Sequence, residues 1–396
     1  MKKALRYSMF GLLYFAQGAI MSFFTALNAV YLQSFGLGMG AIGIIGTIAM
    51  VPFVIKIFLG MLSDKVNFLG LGFRKPYIIL GLFIQAICLI LVPFVNPGQN
   101  FLIYAGVAFI LMMGMALYDT CTDGLALDTT PPDEEGVIQG YMVGGRAAGM
   151  VVVSALLGII VQRISWMVGF YFLAAITLAP LPLVLLIREV ERPDERLFDW
   201  SAFKSFKQTG VIALGVLGAL YSLIINGASQ LVNPFLTETF NIDYSVAGFI
   251  ASVIGLGIVA GGFFGGRITD NIGQRKSLLN ALVISLISVG MLAVITGQWM
   301  AWVLVVVFGF GFRFYETVYF AISMRITDGR IAATMFSIMM AVANIGTGIG
   351  LGISGALAEG VGYRLTFLVL AAMNLLALPL IQLIFKKKTI VTYSNA

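Results

Sequence analysis

Residues 101–136 read "FLIYAGVAFILMMGMALYDTCTDGLALDTTPPDEEG". The first part is apolar and uncharged. Asp119, Asp123 and Asp128 then follow before the break at Pro131. An apolar run of this length fits a helix crossing about 30 Å of hydrocarbon. A carboxylate inside hydrocarbon costs several kcal/mol and is by default functional. The segment therefore predicts a membrane helix that carries charge for a purpose.

The rest of the chain agrees. Of 396 residues, 60% are hydrophobic and 11% charged, with a mean hydropathy of +0.99. A soluble chain carries about a quarter charged residues. The runs are too long and continuous for barrel strands, so backbone satisfaction in lipid demands helices. The expected fold class is an all-α membrane protein of twelve transmembrane helices in two pseudo-symmetric six-helix halves. Spans are predicted at 8–33, 40–62, 76–96, 101–127, 137–161, 165–187, 209–236, 245–268, 277–297, 299–324, 331–357 and 364–386. The first run lacks a small-residue cleavage site and reads as a retained span.

One long polar stretch, "REVERPDERLFDWSAFKSFKQTG" at 188–210, divides the spans six and six. The predicted domains are 1–187, a linker at 188–208, and 209–396. The halves repeat. "GLGFRKPYIIL" after "GMLSDK" is answered by "GGRITDNIGQRKSLL", and "AAITLAPLPLV" by "AAMNLLALPLI". Such a repeat implies a pseudo-twofold axis along the membrane normal, with a substrate site at the midplane. Lys and Arg gather in Met1–Arg6, 63–75, 188–207, 267–276, 325–330 and the terminal "KKK", whereas the opposite loops carry only Arg163 and Arg364. That bias puts both termini in the cytoplasm of an inner or plasma membrane protein. The net charge of +6 is then a topology signal and not a mark of nucleic-acid binding.

Six ionisable residues lie far from any loop. At 1.5 Å per residue, Lys56, Asp119, Arg146, Arg313 and Glu316 sit roughly 12–18 Å deep, with Asp123 somewhat shallower. Three cations balance three carboxylates, so they are expected to face a wet cavity and pair across it. Asp119 and Asp123 share one helical face at i, i+4, and neighbouring carboxylates suit a group that takes and releases a proton. Under the repeat Glu316 occupies the place of Asp119. Locking of helices by structural ion pairs is the plainer reading of the same set. Asp128, at the helix mouth, is expected to latch onto Arg74 and Lys75. Tyr118, Tyr315 and Tyr319 flank the charges, for stacking on a substrate or for packing. Gln17, Asn226 and Gln230 place amides in spans one and seven, for cavity lining or helix–helix hydrogen bonds.

Enzyme chemistry finds no support. No histidine is present, and no nucleotide loop, nucleophile–base pair or metal-ligand cluster is legible, so no cofactor or metal is expected. Cys88 and Cys121 fall inside spans and read as inert thiols.

"GMLSDK…RK" and "GGRITDNIGQRK" resemble the paired loop motif of the major facilitator superfamily. The resemblance assigns Gly60, Asp64, Arg74 and Lys75, with Gly266, Asp270, Arg275 and Lys276 in the second half, to gating. "YDTCTDGLALDTTPPDEEG" followed by "GGRAAGM" is similar to the muropeptide permeases of the AmpG type, with Asp119, Asp123, Asp128, Pro131, Glu134, Gly136, Arg146 and Gly149 on the pattern. Tyr118 stands where those permeases have glutamine. "DTCTDGLAL" also resembles the acetyl-CoA transporter family. These likenesses imply a monomeric, proton-coupled symporter of a polar, partly anionic small molecule such as an amino sugar–peptide. Lys56, Arg146, Arg313, Tyr118, Tyr315, Gln17 and Asn226 would bind substrate, and Asp119, Asp123 and Glu316 would handle the proton. A proton-driven exporter of amphipathic drugs and a non-transporting assembly or pigment-delivery factor are the alternatives.

Overall fold

The apolar runs fold as helices throughout. The computed structural model describes residues 3–67, 70, 72–131, 134–187, 208–326 and 332–386. The linker at 188–207, the loop at 327–331, the chain end from 387 and the side chains of Asp64 and Asp270 lie outside the described residues. Among those described, twelve helical segments are long and apolar enough to cross a membrane, and no strand occurs.

The first half supplies six. α1 runs over Lys3–Ser22, passes through a π turn at Phe23–Leu27 and continues over Asn28–Gln33. α2 is Met39–Lys65, α3 Lys75–Leu91, α4 Phe101–Thr129 and α5 Glu135–Arg163. α6 spans Trp166–Leu178 and resumes at Leu181–Leu185. The second half supplies α7 (Thr209–Phe240), α8 (Tyr244–Ile272), α9 (Gln274–Leu292), α10 (Gln298–Ile326) and α11 (Ala332–Val361). α12 is Tyr363–Met373, a 3-10 turn at Asn374–Leu376, and Ala377–Ile384.

Local chemistry sets the breaks. Ser165 caps α6 by accepting the Val168 amide at 3.2 Å, which satisfies one of the orphan donors of a helix start. Asn96 turns the chain before α4, its carbonyl oxygen accepting from the amides of Gly98 and Gln99. Gly273 and Gly362 each hold φ at 83° directly before α9 and α12, a left-handed conformation that glycine adopts without steric penalty.

The chain forms two compact units. The first comprises Met1–Pro193 together with Asn233–Ser252. In it α1 packs along α5, and α2 and α3 pack on α4. The α1–α5 contact is backbone on backbone: a Cβ on Gly18 would collide with the carbonyl of Arg146, and one on Gly149 with that of Phe15. Small residues at a crossing drive helix association in lipid by letting backbones meet. The Asn233–Ser252 segment joins this unit through Ser252, whose hydroxyl lies 2.8 Å from that of Ser154.

The second unit comprises Asp194–Val232 and Val253–Ala396. α9 packs on α10 and α12, and α11 on α12. Gly346 and Gly350 bring α11 onto the carbonyls of Ala219 and Leu223 in α7, as Gly149 and Gly145 bring α5 onto α1 in the first unit. Its core is aromatic where α7, α9, α10 and α12 meet, at Tyr221, Leu278, Phe314, Tyr315, Tyr319 and Ile381. Outward positions such as Phe58, Leu102, Phe263 and Val303 are exposed and apolar, as lipid-facing helix sides require.

Candidate functional site

In the first unit the tight α1–α5 crossing holds the polar face of α1 against α4. Tyr14 and Gln17 are one turn apart on α1, and Asp123 and Asp119 are one turn apart on α4. They meet in antiparallel register: Tyr14 donates its hydroxyl hydrogen to Asp123, and Gln17 donates through Nε2 to Asp119. Lys56 reaches across from α2, with Nζ 3.5 Å from Oδ2 of Asp119. Arg146, from α5, lies with its guanidinium carbon 5.9 Å from the centre of the Tyr14 ring, a cation–π distance.

The four charges fall into two layers. Asp119 and Gln17 are buried, at 5% and 1% exposure, and this aspartate has both a cation and an amide donor. Tyr14, Asp123 and Arg146 are only half-buried. Among the described residues, Asp123 has no cation within 4 Å and Arg146 has no carboxylate within 4 Å. The inner layer is thus an ion pair with its carboxylate buried and its lysine half-buried. The outer layer is a half-buried carboxylate and a half-buried guanidinium, both beside Tyr14.

Tyr118, next to Asp119 in the chain, is buried. It is 1% exposed at the α3–α4 contact, where Gly81 meets its backbone and Cβ, and its buried hydroxyl has no hydrogen-bond partner among the described residues. The side chain is packed between helices, within electrostatic reach of Asp119 and Arg146.

The loop motif is a second constellation. Arg74 is 8% exposed; its Nε donates to Asp128 at 3.3 Å and its Nη1 to the Ser63 hydroxyl at 2.5 Å. Gly124 leaves room for this guanidinium, which a Cβ there would strike. Lys75 donates to the carbonyls of Leu185 and Ile187 at 2.7 and 3.0 Å, ending α6. Gly60 lies against Thr120. Nearby, Arg6 donates to the Thr129 carbonyl at 3.1 Å and to Glu134, and Lys3 lies 3.1 Å from Glu134.

In the second unit Arg313 and Glu316 pair along α10 at i, i+3, so this pair closes on one helix and not across a cavity. Tyr315 and Tyr319 are buried against Tyr221, with ring centres 5.2 and 4.9 Å away. Asn226 donates to the Thr347 hydroxyl at 3.2 Å, Ser222 lies 3.1 Å from that same hydroxyl, and Gln230 donates to the Leu351 carbonyl at 3.0 Å. These amides tie α7 to α11. Gly266 lies on α8, and Arg275 and Lys276 are exposed at the start of α9.

Sequence reasoning passed over Tyr14. The available signal was its spacing of three from Gln17, about one helical turn, as is the spacing of four between Asp119 and Asp123. The i, i+3 spacing of Arg313 and Glu316 was a signal of the same kind. Among the described residues no group of three potential ligands converges on a metal position.

The sequence profile of the Major Facilitator Superfamily matches residues 10–232 and 214–393. A sialic acid transporter of Escherichia coli (strain K12), NanX, is 24% identical over 253 residues, 62% of this chain; the match spans 59% of that protein's length. A putative transporter, AmpG 1, of Rickettsia conorii (strain ATCC VR-613 / Malish 7) is 23% identical over 399 residues, covering 88% of this chain and 89% of the relative. Among solved structures, a bacterial homologue of the human lysosomal transporter Spinster, inward-facing and occupied, superposes with a TM-score of 0.77 at 17% identity over 99% of this chain and 98% of the other. The nucleoside transporter NupG gives 0.76 at 17% identity over 98% and 100%.

Proposed function

The chain belongs to the Major Facilitator Superfamily, and from that premise we propose that it is a proton-coupled symporter of a polar, partly anionic solute. The family makes it a multi-pass membrane transporter and not an enzyme. The symport reading rests on one observation: a half-buried Asp123 without a cation within 4 Å and a half-buried Arg146 without a carboxylate within 4 Å, both touching Tyr14.

Charge gives the mechanism. With both aspartates ionised, Lys56 and Arg146 are balanced and the cluster has no net attraction for an anion. A proton on Asp123 leaves it one charge positive, and Arg146 then favours an anionic group on the solute. A desolvated, low-dielectric setting magnifies that difference. Loss of the proton restores neutrality and releases the anion. Asp119 has its own cation and amide, so its part is to hold Lys56 in place. Arg313 is already neutralised by Glu316, which leaves Arg146 as the anion contact.

An acidic sugar derivative fits this chemistry. The name of the sialic acid transporter and the resemblance to muropeptide permeases support that class. The alternating-access cycle, the two six-helix halves with cytoplasmic termini, placement in an inner or plasma membrane and a monomeric state belong to the same proposal.

The test is uptake in liposomes, with sialic acid and amino sugar–peptides offered under an imposed inward proton gradient. We expect accumulation that collapses when the gradient is dissipated, and loss of gradient-driven accumulation in Asp123→Asn. Accumulation indifferent to the gradient in the unaltered protein would overturn symport.

A further inference from the structure

Tyr14 stands between the two groups that this symport reading requires, and on that reading we infer that it is the positioning residue linking the proton on Asp123 to the anion at Arg146. A tyrosine hydroxyl has one hydrogen to give. An ionised carboxylate only accepts, so Asp123 claims that hydrogen in the arrangement observed. The face of the same ring lies against the guanidinium of Arg146. A protonated Asp123 becomes a donor and can turn its own O–H to the tyrosine oxygen. The tyrosine hydrogen is then free to rotate toward an anion held by Arg146. No covalent bond changes. One proton moves from solvent to an Asp123 oxygen, and one hydroxyl rotor reverses its hydrogen bond.

The surroundings leave this role to Tyr14. The ionisable groups facing Asp123 are Asp119 from its own helix, Tyr14 from α1, Lys56 from α2 and Arg146 from α5. Lys56 and Gln17 are engaged with Asp119. Among the described residues Tyr14 is thus the group that meets both Asp123 and Arg146, and it is half-buried as they are. A tyrosine there for packing alone would need the ring and not the hydroxyl, and this separates the two roles.

Tyr14→Phe keeps the ring against Arg146 and removes the hydroxyl. The measurement is an infrared titration of the solute-free protein in bilayers, with the Asp123 carboxyl band assigned by its loss in Asp123→Asn. Without its hydrogen-bond donor the carboxylate should be easier to protonate, so the band should appear at a pH about one unit higher, close to a tenfold change in proton affinity. A ring-fluorinated tyrosine at position 14, a stronger donor, should move the band the other way, and it keeps the test open if the phenylalanine variant does not fold. Sialic acid binding, where the unaltered protein shows it, should tighten on acidification, and Tyr14→Phe should flatten that dependence. An unmoved band in both variants overturns the inference. An unaltered protein that accumulates solute with the gradient while Tyr14→Phe matches it in band position and pH profile sinks the tyrosine alone. A protein whose Asp123 band responds to Tyr14→Phe but which accumulates nothing with a gradient sinks the symport reading.

Discussion

The ammonium of Lys56 lies 3.5 Å from Oδ2 of Asp119 and joins α2 to α4 inside the membrane-spanning part of the first unit. Asp119 is buried at 5% exposure, whereas Lys56 is about a fifth exposed. Removing the carboxylate charge strands a cation that water only partly reaches. Asp119→Asn should therefore cost about 1–3 kcal/mol, the usual penalty for leaving a buried polar partner unsatisfied. Lys56→Gln in the same chain should recover most of it. Thermal unfolding in detergent of the two single variants and the double variant reads the coupling; additive losses would show that the pair is not a unit.

Asp123→Asn should behave differently from Asp119→Asn. No cation within 4 Å depends on Asp123, and an asparagine oxygen can still accept from Tyr14. Folding should stay within about 1 kcal/mol of the unaltered protein, as is usual away from buried ion pairs. Gradient-driven uptake should be lost while solute exchange survives. Equal destabilisation by the two substitutions would contradict the two-layer arrangement.

Arg74 holds Asp128 and Ser63 together through different nitrogens of one planar fork. Lysine offers a single ammonium and cannot reproduce that geometry. Arg74→Lys should lower stability by about 1–2 kcal/mol, and Gly124→Ala should do so by a separate route, since its Cβ would strike the guanidinium. Chemical unfolding of each variant checks both. A stable Gly124→Ala with unchanged transport would mean that the arginine can be seated elsewhere.

Glu134, beyond the end of α4, titrates below its ordinary value of 4.5. Burial works to raise it, but its ion pairs with Lys3 and Arg6 outweigh that. A depressed carboxyl contributes stability that is fully present above its unfolded value and is lost as pH falls through the folded one. The unaltered protein should therefore lose melting temperature more steeply than Glu134→Gln as pH falls below about 4.5. Parallel melting curves across that window would show that the Lys3 and Arg6 contacts of Glu134 add no stability.

Sidedness can be read at two exposed positions. Gln99 lies before α4 and Lys276 at the start of α9, and the two native cysteines are buried. In intact cells an impermeant thiol reagent should label Gln99→Cys and spare Lys276→Cys. The reverse pattern would invert the proposed orientation.

The twelve spans and the position of each charge along its helix were legible in the chain because both are one-dimensional. Hydrocarbon thickness converts directly into run length, and rise per residue converts position into depth. The predicted bounds missed the π turn at Phe23–Leu27 and the extension of α7 to Phe240, where backbone hydrogen bonding continues past the apolar stretch. Partner choice was a different matter. Which residue Asp123 meets depends on how α1 is rotated against α4, and that rotation is set by Gly18, Gly145 and Gly149 seating α1 on α5. Tyr14 and Asp123 are 109 positions apart, and no local pattern in either helix names the other. Arg313 could equally have reached across a cavity or along its own helix to Glu316, and the packed side chain chose the helix. The chain by itself determined that charge lies within helices long and apolar enough to cross a membrane; only the packed helices decided which charges pair directly and that Asp123 and Arg146 stand apart, because close backbone contacts between distant segments fix the rotation of each helix face.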